Sequence, residues 1–115
     1  MISTNRFLQG FYPFTGAGPS TLVTLHADLS YVVPEGVVNQ PLYYRGGNST
    51  VELITVVLLR DGKPMRYFPI GAKGDVNVPL RVVEDIEGGS VIELRIAAPE
   101  GVSGHVVVDL GMVEH

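Results

Sequence analysis

Val51-Glu52-Leu53-Ile54-Thr55-Val56-Val57-Leu58-Leu59-Arg60, followed by Asp61-Gly62 and then Lys63-Pro64-Met65-Arg66-Tyr67-Phe68, is the stretch that decides the fold class. Asp-Gly between two apolar runs marks a two-residue hairpin, because both central residues of a type I′ turn need positive φ. The two runs on either side of it are therefore antiparallel strands. Upstream, Val23, Leu25, Ala27, Leu29, Tyr31 and Val33 alternate with the mostly polar Leu22, Thr24, His26, Asp28 and Ser30, the period of a half-buried strand over residues 21–33. Pro34-Glu35-Gly36 turns the chain, and Val37 to Arg45 reads as a strand that Pro41 confines to an edge or a bulge. Gly46-Gly47-Asn48 is the next expected break.

Downstream, strands are expected at Asp75 to Val83, at Ser90 to Ala98 with Ile92, Leu94 and Ile96 on one face, and at Gly104 to Val113 with Val106, Val108, Leu110 and Met112 together. Fourteen glycines and eight prolines cut the chain so finely that hardly any window of a dozen residues keeps a helical period. Seven or eight short strands without interleaved helices predict an all-β antiparallel sandwich, immunoglobulin-like or jelly-roll.

At 115 residues the chain is one domain, long enough to bury a core without staples. Its lack of cysteine excludes a disulfide framework, a thiolate metal site and a cysteine nucleophile. A net charge of -4, with two Lys and six Arg, argues against a nucleic-acid partner, which needs clustered cations. Apolar runs fall well short of the roughly 18 residues that span a bilayer, so no membrane insertion is expected. No basic segment precedes an apolar one at the start, and the chain reads as soluble and unprocessed: part of a virion if the source is viral, cytoplasmic otherwise.

Two features ask for a partner. Val51, Leu53, Val57 and Leu59 make one face of the central run apolar, and Ile54, Val56 and Leu58 make the other so, whereas a two-layer domain covers one face of each sheet. Residues 1–19 also hold Phe7, Phe11, Tyr12 and Phe14, four of the nine aromatics, in a Gly/Pro-rich stretch poorly suited to water. The expectation is an extended N-terminal arm (1–19) on a sandwich domain (20–115). Phe7, Phe11, Tyr12 and Phe14 dock the arm, and Ile54, Val56 and Leu58 form a subunit face. The partner is a second copy, in a trimer or larger homo-oligomer, with a shell protein as a further candidate. The alternative is that a loop or the N-terminal segment covers the second face within the monomer.

Chemistry-bearing residues are sparse. His26 shares a face with Asp28, and His105 with Asp109, which would suit a two-His, carboxylate metal site only if the fold brought them together. Ser103-Gly104-His105 places Ser and His in one turn, where they rarely point together, and no Gly-x-Ser-x-Gly elbow occurs. Gly16-Ala17-Gly18-Pro19 lacks the Lys-Ser/Thr of a phosphate loop, and Glu84-Asp85-Ile86-Glu87 lacks the spacing of a calcium loop. Tyr43-Tyr44-Arg45, with Tyr67 and Phe68, offers stacking groups, of which one of each adjacent pair can line a given groove. The chain reads as a non-enzyme without a cofactor.

Gly10-Phe11-Tyr12-Pro13-Phe14-Thr15-Gly16-Ala17-Gly18-Pro19, with His26 following, resembles the opening of the sensory rhodopsin transducer family. That resemblance implies a small soluble β-sandwich that forms tetramers and relays a signal. In overall plan, an acidic cysteine-free sandwich with an aromatic arm is similar to the capsid decoration or cement proteins of tailed phages, and this implies a structural role on a shell.

Overall fold

Asp61 and Gly62 have φ of 52° and 79°, the pair of positive values that a type I′ turn requires. The turn joins two strands of an all-β protein, in a computed structural model that describes residues 3–80 and 84–115. Ten strands follow one another: β1 (Thr4–Thr15), β2 (Gly18–Thr24), β3 (Ser30–Val32), β4 (Val38–Asn48), β5 (Ile54–Arg60), β6 (Lys63–Ile70), β7 (Asp75–Pro79), β8 (Ile86–Glu87), β9 (Val91–Ala98) and β10 (Ser103–Glu114). One antiparallel sheet runs β1-β10-β4-β7, with β8 also on β4, and the other runs β2-β9-β5-β6, with β3 also on β9.

Inward-facing positions of both sheets make the core. Leu8 and Phe14 of β1, Tyr44 of β4, Ile54, Val56 and Leu58 of β5, Ile92, Leu94 and Ile96 of β9 and Val106, Val108, Leu110 and Met112 of β10 are all buried in one cluster. Tyr44 stacks on Phe68 across the layers at 4.3 Å. Twelve-residue strands about 40 Å long account for a body 46 Å in its longest dimension. Its accessible surface, 6143 Å², matches the roughly 6,100 Å² that area scaling gives for a monomer of this mass. No global excess of surface therefore demands a partner.

Several expectations are corrected by this architecture. Residues 4–15 are no arm: β1 pairs with β10 over its whole length, Thr4 opposite Glu114 to Thr15 opposite Ser103, so the sandwich begins before residue 20. Residues 21–33 do not form one strand. His26 Nδ1 accepts the Asp28 N–H and the His26 carbonyl accepts the Leu29 N–H, which closes a short 3-10 turn between β2 and β3. Gly46-Gly47 does not break β4, because β10 and β7 pair with it on both sides through that point. A Cβ on Gly46 would also strike the Val107 carbonyl and the Tyr44 hydroxyl, so the glycine is what lets Tyr44 seat in the core. Pro41 sits where the β4-β10 register shifts, at a bulge as expected. Of the strand expected at Asp75 to Val83, residues 75–79 are extended and 81–83 lie outside the described residues.

The predicted subunit face is also corrected. Ile54, Val56 and Leu58 point between the sheets and are at most 1% exposed. On the opposite face of β5, Val57 and Leu59 are equally buried. Tyr67 and Arg95 stand opposite Val57 and Pro64 and Glu93 opposite Leu59, with Arg95 and Glu93 joined by an ion pair at 2.9 Å. Cross-strand neighbours, Tyr67, Arg95 and Glu93 among them, thus flank the outward residues of this central strand.

Candidate interaction face

The pairing registers place the outward side chains of the β1-β10-β4-β7 sheet in rows. Phe11 stands beside Val107, Gly47 and Asp75; Gln9 beside Asp109, Arg45 and Asn77; Phe7 beside Gly111, Tyr43 and Pro79. Alternation along β1 sends Leu8 and Phe14 inward, so Phe7 and Phe11 go outward by the same period. Phe7 is 50%, Phe11 64% and Val107 45% exposed. One face of Phe11 is covered by the His105 ring, stacked at 4.9 Å and 5°. Tyr43 is half-buried because its ring lies over Gly111, where any Cβ would collide with it.

Between the apolar rows lies a charged one. Asp109 accepts from Arg45 Nη2 at 2.7 Å and Nε at 3.2 Å, and from the Tyr43 hydroxyl at 3.2 Å. The Arg45 guanidinium also sits 5.2 Å from the centre of the Tyr43 ring. Hydrogen bonding to Asp109 and its charge raise the Arg45 pKa further, while burial first and the Asp109 charge second raise that of Tyr43. Both therefore keep their protons throughout the neutral range. Since Arg45 is well exposed, the pair orients the side chains more than it stabilises the fold. A shallow hollow of about 470 Å³ opens here among Arg45, Gly47, Asp75, Asn77, Val107 and Asp109. The face offers flat apolar contact with a central strip of fixed donors and acceptors.

Of the seven residues predicted for an interface, Phe7 and Phe11 lie on this face. Tyr12 is half-buried against the core and stacks on His26 at 5.1 Å, and Phe14 is 7% exposed. Ile54, Val56 and Leu58 are in the core. Val107, Tyr43, Arg45 and Asp109 escaped the sequence-based expectation, because alternation tells which side a residue takes but not which strands lie beside it.

The other candidates resolve separately. His26 and His105 stack on different aromatics of β1, and no group of three His, Cys, Asp or Glu among the described residues could hold a metal ion. Ser103 shares a hydrogen bond with Thr15, and the His105 N–H is taken by Ser49 Oγ. Glu84 pairs with Arg66, and Asp85 accepts from Gln40.

A second polar cluster sits at the far end of the sandwich. Glu114 is 4% exposed. Its carboxylate accepts from Arg6 Nε at 3.0 Å, from the Tyr31 hydroxyl at 2.8 and 3.0 Å, and from Asn39 Nδ2 at 3.0 Å. Burial alone would push the Glu114 carboxyl up. Hydrogen bonds from Asn39, Tyr31 and Arg6, with the Arg6 charge, outweigh burial and hold it below its usual 4.5. Four elements, β1, β3, β4 and β10, meet on this one carboxylate, so it serves as an internal tie.

The chain shares the jelly-roll fold of carbohydrate-binding modules. The CBM36-1 domain of a multidomain xylanase from the hindgut metagenome of Trinervitermes trinervoides superposes with a TM-score of 0.61 at 16% identity, over 96% of each chain. A carbohydrate-binding module CBM36 in complex with calcium and xylotriose gives 0.57 at 19%, over 94% of this chain and 97% of that one. The infectious bursal disease virus VP2 subviral particle gives 0.55 at 11%, and there 97% of this chain covers 32% of the viral one. At these identities the likeness is one of fold. No family model matches the sequence, and no curated protein matches it. No helix among the described residues is long and apolar enough to cross a membrane.

Proposed function

We propose that the protein is a non-enzymatic assembly module, a homo-oligomeric β-sandwich that docks through the outer face of its β1-β10-β4-β7 sheet onto a larger shell such as a virion capsid. The observation that carries this reading is the exposure of Phe7, Phe11 and Val107 on one face, with Phe11 directly beside Val107. Three large apolar side chains grouped on a surface of otherwise ordinary size mark a contact site better than three scattered ones. At about 4.8 Å spacing, β1, β10 and β4 run some 40 Å and the five-residue β7 about 17 Å, so the face spans about 640 Å², somewhat under the roughly 800 Å² per partner of a standard interface. The viral likeness supports a shell at the level of fold.

The test is the double variant Phe7→Ser/Phe11→Ser compared with the parent by sedimentation velocity at micromolar concentration. The reading expects a larger parent species, a monomeric variant and, at dilutions where the parent is also monomeric, equal melting temperatures, since both rings point outward. A variant that assembles as well as the parent would remove this face from the proposal.

The hollow beside Arg45, Asp75, Asn77 and Asp109 favours a second reading, a small ligand-binding or signalling module that holds a polyhydroxylated ligand next to the Phe11 ring. Titration with xylotriose checks it: heat of binding that disappears in Arg45→Ala supports the second reading, and no heat with the parent counts against it.

A further inference from the structure

The free edge of β1 lacks the devices that normally keep a sheet edge from pairing, namely shortness, bulges, prolines and unneutralised charge. The other edge strands carry them. β7 has five residues, β6 has Pro64, Pro69 and a register shift against β5, and the pairing of β2 with β9 shifts between Gly18 and Val23. By contrast, β1 keeps one unbroken register with β10 for twelve residues. Its only charged side chain, Arg6, is held by Glu114, and its one proline is Pro13, near the end. Outside the β10 ladder, no backbone–backbone hydrogen bond among the described residues involves residues 4–15. Among the described residues, the outward N–H and C=O groups of this long strand are thus left without a backbone partner.

We propose that this edge pairs antiparallel with the same edge of a second copy, on a two-fold axis through Gln9, to join two five-strand sheets into one of ten. The proposal rests on the homo-oligomeric reading above and specifies its contact. A two-fold axis normal to the sheet pairs outward residues with outward residues. With the axis at Gln9, Phe7 stands opposite Phe11 of the second copy, and Phe11 opposite its Phe7. Moving the axis by one residue, to Leu8 or Gly10, sets each phenylalanine against Asn5, Gln9 or Pro13 instead. Of these three registers, only the one at Gln9 forms two cross-strand aromatic pairs, the strongest kind of neighbour contact on a sheet surface. On the inward side the same register sets Leu8 against Gly10 and Arg6 against Tyr12, so no like charges meet. Asn5 faces Pro13, whose missing N–H forfeits at most one ladder bond.

An eleven-residue overlap is about 36 Å long and, with side chains on both faces, about 10 Å deep, near 360 Å² of projected area per copy. That is less than half of a standard contact, which predicts a dimer of micromolar rather than nanomolar strength. A pair formed this way leaves Val107, Tyr43, Arg45 and Asp109 of both copies on one continuous face. Larger assemblies built from it contain even numbers of copies, four rather than three.

Because the chain has no cysteine, single cysteines test the register directly. Gln9→Cys puts two thiols on the axis, with Cα atoms about 4.5–5.5 Å apart, inside the disulfide range. Mild oxidation should give a covalent dimer of twice 12.4 kDa. Asn5→Cys, about 26 Å from its own copy across the axis, should give almost none. Gln9→Lys places two ammonium groups opposite each other and should shift the protein to monomer, with the parent's melting temperature at dilutions where the parent is monomeric too. Assembly without cross-linking at residue 9, or equal cross-linking at 5 and 9, overturns this register while the assembly reading stands. A parent protein that is monomeric at every concentration overturns both.

Discussion

Glu114→Ala should be the most damaging single substitution outside the apolar core. Glu114 is 4% exposed, and its loss leaves the Tyr31 hydroxyl and the fully buried Asn39 amide without their acceptor. Each stranded donor costs about 1–3 kcal/mol, so the two together cost on the order of 4 kcal/mol. For a domain of this size that is a drop of roughly 10–20 °C in melting temperature. Arg6→Gln should do much less, because Arg6 is half-exposed and screened by water. The acid limb gives an independent check. A carboxyl held below its usual 4.5 contributes stability that is fully present above that value and is lost as the pH falls through the folded-state pKa. Thermal melts followed by circular dichroism should therefore show the parent losing stability below about pH 4.5, and Glu114→Gln losing less over the same interval. If Glu114→Ala melts within about 3 °C of the parent, or if Glu114→Gln has the same acid slope, the carboxylate is not the tie described.

Deleting residues 1–15 should unfold the domain, visible as loss of the cooperative melt, because it strips β10 of its partner and removes Leu8 and Phe14 from the core. A truncated chain that still melts cooperatively would restore the arm in place of the strand. Tyr44→Phe should be neutral or stabilising by about 1 kcal/mol, since the buried Tyr44 hydroxyl has no hydrogen-bond partner among the described residues; a loss of more than that in chemical denaturation would show that the hydroxyl is satisfied. Gly111→Ala should cost about 1–3 kcal/mol and make Tyr43 more accessible to chemical modification, because the new methyl takes the place of its ring.

The parts of the fold legible in the sequence were those governed by neighbours along the chain. Asp61-Gly62 announced its turn through the φ values it needs, and β9 and β10 announced themselves by alternation. The 3-10 turn at Ala27–Leu29 hid inside an alternating run because the His26 side chain and carbonyl bend the backbone while Leu29 and Tyr31 still reach the core. β1 was hidden for the opposite reason. It carries aromatics on both faces, with Phe7 and Phe11 outward and Tyr12 and Phe14 inward, and Gly10 and Pro13 interrupt it, so its period of two does not show as apolar against polar. The sequence shows β5 apolar on both faces but not which face lies inside: the set expected at a subunit face, Ile54, Val56 and Leu58, lies between the sheets, and whether Val57 on the other face is wet depends on Tyr67 and Arg95, which only the register places beside it. For the candidate site, Phe7 and Phe11 were visible as residues out of place in water. The Arg45–Asp109–Tyr43 strip was not, because its members lie 64 and 66 residues apart along the chain.

Sedimentation equilibrium of the parent protein across the micromolar range addresses the central claim most directly. Self-association through the phenylalanine-bearing sheet predicts a mass that rises with concentration from 12.4 kDa toward twice that value or a higher even multiple. A constant 12.4 kDa at every loading would contradict it.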